Sequence, residues 1–569
     1  MIARLAFALI VLALCSTAAA AQPRGEGATP DQRLQRERIL EEQRERLQDD
    51  QQPGLDLRQE PLAPPQAEAA CFPIATIDIS GVTLLAEEDI SQISETFVRQ
   101  CMGEQAIRTL LQALNAAYVE RGFVTSRAYL PDQDLSSGVL RIIVVEGFIE
   151  GYELVTERET SDARRLRKLA TAFPGEVGGP LQLREIEQGL DQIRRLASEN
   201  PTADLMPGEE PGGTIVSITS TPEDQVRGLI GFDNDGSSAT GENRLRFTLA
   251  ADDILGVNEA FTFSLVGATG ATSVVGALDV PYGWWTLSLE GSYSDSVSAL
   301  TSAADLTSFS AGGSVGVERV LFRDASRILK VEVSARHRRS ETFINDTALA
   351  PRDQTTFRLG GNYEKRGPGF VWIGDLGARF GAPVLGGDGN LDDDGSTTPQ
   401  ARFSAVDGSF SYVRAFPGGW QVFSQTEAQV SASGGLVSDE QVFIGGWSTV
   451  RGYDEFDFAA DSGLYTRNEL SFSAPAAWRT AFSGGLGSAG EALFDYVVDD
   501  LQPYAFVDAG LGRNVIAAES EFFSGLGAGL RFNNDRLSFD LAVAYPLLRT
   551  RSLREREAQL FLNVSLGVF

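Results

Sequence analysis

The chain has a single histidine, His337, only three cysteines, and 48 basic against 78 acidic residues, a net charge of −30. Each shortage removes a class of function. With one imidazole and no thiols to spare, a zinc centre or histidine-based acid–base catalysis has almost nothing to be built from. Excess acid repels a phosphate backbone, which excludes nucleic acid as a partner; the same charge serves solubility and an anionic surface. No serine nucleophile elbow, phosphate-cradling glycine loop or dinucleotide fingerprint stands in the right context, so neither enzyme activity nor a cofactor is expected. Asn390, Asp392, Asp394 and Gly395 resemble the start of a calcium loop, but Ala401 stands where the bidentate carboxylate belongs, so an acidic outer loop is expected and no metal site.

Long apolar runs are also missing. No window reaches the roughly 18 residues that a membrane-spanning helix needs. The longest run, Leu5 to Leu14, follows Arg4 and precedes Ala19-Ala20-Ala21, the pattern of a secretory signal peptide over residues 1–21. Leu14 is too large for the position before a lipidated cysteine, so Cys15 leaves with the signal. The pair that remains, Cys71 and Cys101, reads as a disulfide in an exported chain.

Residues 22–50 hold a helix charged all round, with Arg33/Glu37 and Glu42/Arg46 four apart. It cannot anchor in an apolar core; a free solvated segment and a plug in a wet pore both fit it. Residues 51–70, with Pro53, Pro61, Pro64 and Pro65, have linker composition. Two small modules follow, 71–148 and 149–221, each read as β-α-α-β-β. In the first, Ile74, Ile77 and Ile79 mark a strand ending at Gly81. Ile90, Ile93 and Phe97, then Ile107, Leu110, Leu111, Leu114 and Tyr118, recur at helical spacing. Residues 126–130 and 139–145 are strands. In the second, 163–172 and 181–196 are helices and 203–206 and 214–219 strands.

From 222 to 569 the period becomes two. Leu245, Phe247 and Leu249 alternate with Arg244, Arg246 and Thr248; Leu329, Val331 and Val333 alternate with Lys330, Glu332 and Ser334. A soluble sandwich shows the same alternation, but Arg246, Glu290, Lys330, Glu332 and Arg336 could not all be buried dry. Apolar out and polar in, at about ten residues per strand, gives about sixteen antiparallel strands closed into a membrane β-barrel, because open edges cannot be satisfied in hydrocarbon. His337 then reads as a lumen or surface residue with no evident acidic orienter. Phe569 ends the chain on the parity of Asn563, Ser565 and Gly567, which calls for an interfacial position or a bulge.

One stretch inside this region does not alternate. Around Val450-Arg451-Gly452-Tyr453 the glycines Gly445, Gly446 and Gly452 make a loop, and its arginine stands among aromatic residues. Such an arginine needs an anion. In the strand 504–510, Asp508 shares parity with Tyr504, Phe506 and Gly510, while Ala505, Val507 and Ala509 face the other way. With the small apolar residues outward, Asp508 faces the lumen, where a loop arginine could bond it bidentately. Taken alone, the residues also allow an exposed arginine with no fixed partner.

Val450-Arg451-Gly452-Tyr453, Arg467-Asn468-Glu469-Leu470 and Phe506-Val507-Asp508-Ala509-Gly510, in this order, resemble the outer-membrane transporters of two-partner secretion (TpsB proteins, the ShlB/FhaC/HecB group), which share a superfamily with the barrel-assembly protein BamA. Residues 122–127, 130–135 and 145–147 resemble their first periplasmic POTRA domain, and 173–175 and 183–191 the second. The resemblance implies that the Arg451 loop folds into the lumen and pairs with Asp508, and that the N-terminal helix plugs the pore. It implies that the POTRA domains receive an unfolded exoprotein cargo and that the barrel exports it without nucleotide. Outer-membrane lipid surrounds such a barrel, and the barrel-assembly machinery inserts it. The rival reading is a BamA-like assembly factor, against which two POTRA domains and a charged N-terminal helix speak.

Overall fold

The computed structural model describes residues 71–568 apart from 159–160, 176, 302–303, 389–398, 474–499, 535, 552 and 554–555. The expected signal peptide, helix 22–50, linker 51–70, the 390–395 loop and Phe569 lie outside the described residues.

The first module is Thr76–Ser80, α1 (Glu87–Glu95), α2 (Glu104–Glu120), Arg127–Tyr129 and Val139–Val145. Its central strand, Val139–Val145, runs parallel to the first strand and antiparallel to the short one. Ile107, Leu110, Leu114, Ala117 and Tyr118 lie on one face of α2 and are buried against Leu140, Ile142 and Val144, the inward set of the central strand. Gly122 (φ +88°) stops α2, and Phe123 N–H donates back to the Tyr118 carbonyl at 2.9 Å. Phe97, expected on the first helix, falls in the turn after it, because α1 ends at Glu95. Cys71 and Cys101 are disulfide-bonded. The bond staples the two-residue strand Phe72–Pro73, which pairs with Cys101–Met102, to the segment between the helices. Closing that loop of about 30 residues stabilises the module by roughly 3–4 kcal/mol in the chain-entropy account.

Glu146 fastens the module's turns. Its Oε1 accepts from Thr83 N, Leu84 N and Tyr118 Oη, each at 2.8 Å. Burial disfavours the charged form, but these bonds outweigh it and hold the carboxyl below its ordinary value. A carboxyl depressed in the folded state contributes stability above its unfolded pKa and loses it as pH falls through the folded one. Titrating the protein from neutral to acid should therefore weaken this module in the carboxylate range. Glu146→Gln should remove most of that dependence and cost about 1–3 kcal/mol. Urea-dependent proteolysis followed by module-specific antibodies reads both; an unchanged acid profile in the variant refutes the assignment.

The second module repeats the order with Phe148–Thr156, α3 (Asp162–Ala172), α4 (Leu183–Arg194), Glu199–Pro207 and Gly213–Pro222, the last strand lying central. Ser161 caps α3 by accepting from Arg164 N. Gly189 sits mid-helix because a Cβ there would lie 2.1 Å from the Phe173 ring, which stacks on Tyr152 at 5.0 Å.

Among the described residues, sixteen long antiparallel strands then close into a barrel, from Val226–Asp233 to Gln559–Gly567, with every pairing between neighbours in sequence except the closing one. The two-residue strand Thr347–Ala348 only extends one hairpin. Outward positions are apolar and exposed, Leu245 at 64% and Val507 at 54%. Inward charges are paired: Lys330 with Glu318 at 3.2 Å, Arg358 with Asp407 at 2.9 Å, and Arg244 with Asp233. Cross-strand pairs of this kind keep charge tolerable in a polar lumen. His337 takes the outward parity of Val333. Contrary to the expectation of no acidic neighbour, Asp353 lies 3.8 Å from its Nε2, and its Nδ1 is 2.9 Å from Thr355 Oγ1.

Candidate functional site

Between the strands Trp420–Ser431 and Ser462–Phe472 the chain turns into the lumen. Val442–Ile444 pairs with Phe458–Ala460 as a small hairpin, and the segment between them carries Arg451 at its tip. Asp461 fixes the foot, accepting from Leu436 N at 2.7 Å, Gln441 Nε2 at 2.9 Å and Val515 N at 2.7 Å. Val442, Ile444, Val450, Tyr453 and Phe458 form an apolar cluster with Tyr465 and Phe523 of the wall. The loop therefore packs on the barrel rather than hanging free in its water.

Wall glycines make the trough in which it lies. A Cβ at Gly510 would come within 2.9 Å of Ile444 and Val450 methyls, and one at Gly525 would meet the Arg451 carbonyl oxygen at 1.9 Å. Gly452 (φ +99°) supplies the left-handed turn that presses the tip against Tyr545 and Pro546. Tyr453 anchors the far side: its hydroxyl lies within 3.0–3.3 Å of backbone groups of Ser524 and Leu548, and its ring meets Phe523 edge-on at 5.0 Å.

Arg451 is fully buried, at 0% exposure. Its Nε donates to Asp508 Oδ2 at 2.7 Å and Nη2 to Asp508 Oδ1 at 2.9 Å, a bidentate fork. Its backbone N–H donates to the same carboxylate at 3.2 Å. The guanidinium lies 3.6 Å from the Phe506 ring centroid and 5.6 Å from that of Trp447. Sequence parity pointed to Asp508 but missed a second acid: Nη1 donates to Glu469 Oε1 at 2.6 Å. Glu469 also faces Arg531 at 3.3 Å and Arg467 at 3.6 Å, and Arg531 reaches Asp540 at 2.9 Å. Three arginines thus meet three carboxylates, and the cluster is neutral as a unit. Glu469 shares strand parity with Arg467 and Tyr465, a signal from which its inward direction could have been read. The Phe506, Asp508 and Gly510 pattern has a steric sense as well, since Phe506 lies over Gly527 of the next strand, which has no side chain to obstruct it.

The second module is clasped to the barrel rim. Gln188 and Gln192 both donate to the Gly283 carbonyl, at 3.1 and 2.8 Å, and Arg323 Nη2 bonds Asp191 at 2.6 Å. Lys168, buried, lies 2.7 Å from Glu199 and 3.3 Å from Asp253 of a rim turn.

Residues 212–532 match the family model of the haemolysin secretion/activation protein ShlB/FhaC/HecB; 72–147 match the ShlB-type POTRA domain and 149–207 a further POTRA domain. The chain is 30% identical over 482 residues to the outer membrane transporter CdiB of Escherichia coli, covering 82% of this chain and 79% of that one. It is 27% identical over 432 residues to the hemolysin transporter protein ShlB of Serratia marcescens, covering 73% and 75%. The solved structure of CdiB from Escherichia coli superposes with a TM-score of 0.82 at 27% identity, over 96% of this chain and all of that one. A sixteen-strand barrel behind two POTRA domains, with this match over more than half its length, makes the chain a member of the ShlB/FhaC/HecB family, the outer-membrane transporters of two-partner secretion.

Proposed function

We propose that this transporter receives a large, β-rich exoprotein on its periplasmic POTRA domains and passes it through the barrel to the cell surface. The POTRA sheets support the first step: Thr76–Ser80 and Arg127–Tyr129 are the edges of one, Phe148–Thr156 and Glu199–Pro207 of the other. Such edges can take an extended cargo segment as an added strand. No nucleotide is needed, because folding of the cargo outside the cell supplies the driving force; the protein does no catalysis. The observation that carries the reading is the Arg451 loop, held inside the lumen by Asp508 and Glu469. It occupies the route that a chain in transit must take, so a resting state is built into the pore. The family resemblance supports residues 22–50 as a proposed second occupant of that route, and the barrel-assembly machinery as the proposed agent of insertion.

The test is co-expression with a large exoprotein of repetitive β-helical pattern encoded beside it. Cargo should appear in the medium only with the transporter present. Cargo retained in the periplasm despite a folded, abundant barrel, or esterase or protease turnover by the purified protein, would overturn the proposal.

A further inference from the structure

Before its arginine tip, the lumen loop carries another buried charge, of opposite sign. Glu440 ends the turn Ser438–Glu440 and is 1% exposed. Its Oε1 accepts from Arg336 Nη2 at 3.0 Å and Thr356 Oγ1 at 2.6 Å; its Oε2 accepts from Arg379 Nη1 at 2.9 Å. Its carbonyl is held by Gln429 Nε2 at 2.8 Å. The next residue back, Asp439, accepts from Ser340 Oγ at 3.2 Å.

The two anchors grip different arcs of the wall. Glu440 binds the strands Arg327–Ile344, Arg352–Gly367 and Phe370–Gly381, whereas Arg451 binds Ser462–Phe472 and Leu501–Asn514. The strands Ser404–Phe416 and Trp420–Ser431 stand between. The loop is therefore a bar bridging two arcs of the lumen wall, an acid holding one end to basic wall and a base holding the other to acidic wall. Freeing the tip alone leaves the bar attached at Glu440. Ion pairs suit this task, because a buried pair specifies position more than it adds stability, and both partners can be resolvated in a polar lumen once apart. The wall's own Asp407 already lies 3.0 Å from Arg379, so neutralising that arginine needs no seat on the loop; Glu440 adds a carboxylate from a segment that lies in the route.

We propose that Glu440 is a positioning residue for export, a second latch that holds the resting loop to the lumen wall and must release Arg336 and Arg379 for cargo to pass. This rests on the export function proposed above.

Two measurements on the full-length protein in membranes test it. The first uses the cysteine pair Ser340→Cys and Asp439→Cys, whose parent side chains already touch, to report how much of the time the loop rests on this wall. Adding Glu440→Gln should slow disulfide formation about tenfold, the scale of losing charge-assisted bonds, and Glu440→Asp should restore most of the rate. Equal rates in all three backgrounds overturn the latch, and this arm needs no cargo, so it stands apart from the export reading. The second compares cargo release by the cross-linked protein and by the same protein after mild reduction, with the parent chain under the same reductant as control for the Cys71–Cys101 bond. Export should fall about tenfold or more in the locked form and return on reduction. Undiminished export through the locked loop overturns the release step.

Discussion

Replacing Arg451 with alanine should leave a folded, inserted barrel that exports about tenfold less cargo or worse. The barrel is held by its strand ladders and outward apolar residues, none of which uses this side chain. The loop is held differently. Two bonds to Asp508 and one to Glu469 end with the substitution, and charge-assisted bonds contribute about 1.5–3 kcal/mol each. What remains at the tip is the Arg451 amide bond to Asp508 and the Tyr453 anchor. The carboxylates are not left bare: Asn468 N donates to Asp508 at 3.4 Å, and Arg531 and Arg467 can turn fully to Glu469. The released energy is therefore local, the loop loses its register, and the wall stays intact. Arg451→Lys should rescue poorly, because an ammonium cannot form the Nε/Nη2 fork or stack on Phe506. Electrophoretic heat-modifiability reports the barrel, and secreted cargo at matched abundance reports the function. Parental export by the alanine variant would show that the pairing has no part in transport.

The sequence made the wall legible because lipid and water impose a strict rule on alternate residues. Leu245, Phe247 and Leu249 against Arg244, Arg246 and Thr248 leave no choice of face. The α2 stripe Ile107, Leu110, Leu114 and Tyr118 was equally plain, since one buried face demands that spacing. Asp508 could be aimed inward by parity, but what it would meet depended on where a loop from elsewhere in the chain came to rest. That is why Glu469 was missed as a partner for Arg451: its direction was readable, its cross-strand register was not. Arg467 lies directly opposite Asp508 in that register, which places Glu469 beside Phe506 and under the guanidinium. Glu440 gave less still, an acid in a loop with no period to fix its face. Its three partners come from three neighbouring strands, and only the curl of the sheet, which carries the loop back over them, brings them to it. The same holds for Asp353 beside His337, adjacent across a hairpin whose register no local pattern sets. The wall glycines Gly510 and Gly525 carry sequence signals that make sense only once the loop lying on them is seen.

Lys168→Met should loosen the second POTRA domain from the barrel rim and cut export strongly while both parts stay folded. The ammonium is buried between Glu199 of its own domain and Asp253 of the barrel, and with Arg164, which also reaches Asp253, it ties the two together. Its removal takes one charge-assisted contact from each carboxylate, about 1.5–3 kcal/mol apiece. Arg158 keeps Glu199 company at 3.0 Å, and Arg164 stands 3.6 Å from Asp253, so each carboxylate retains a cation. Arg158 does not bridge to the barrel, however, and Arg164 reaches it from the more exposed side of α3. The remaining contacts across the rim, among them Gln188 and Gln192 on Gly283, Arg323 on Asp191 and Arg195 on Asp279, should keep the domain attached but let it sample more orientations than before. A cysteine pair at Thr171 and Asn258, whose parent side chains are hydrogen-bonded at 2.8 Å across the boundary, gives the readout. Cross-linking should slow about tenfold in the methionine variant, in line with a loss of 1.4 kcal/mol or more in the docked state. Coupled replacement of Lys168, Glu199 and Asp253 by apolar residues of similar volume should recover much of the docking, because apolar packing replaces the buried charges and the partly exposed Arg158 and Arg164 can turn to solvent. Recovery of docking without recovery of export would assign the cluster a part in cargo transfer itself; unchanged cross-linking in Lys168→Met would show that the clasp does not depend on this charge.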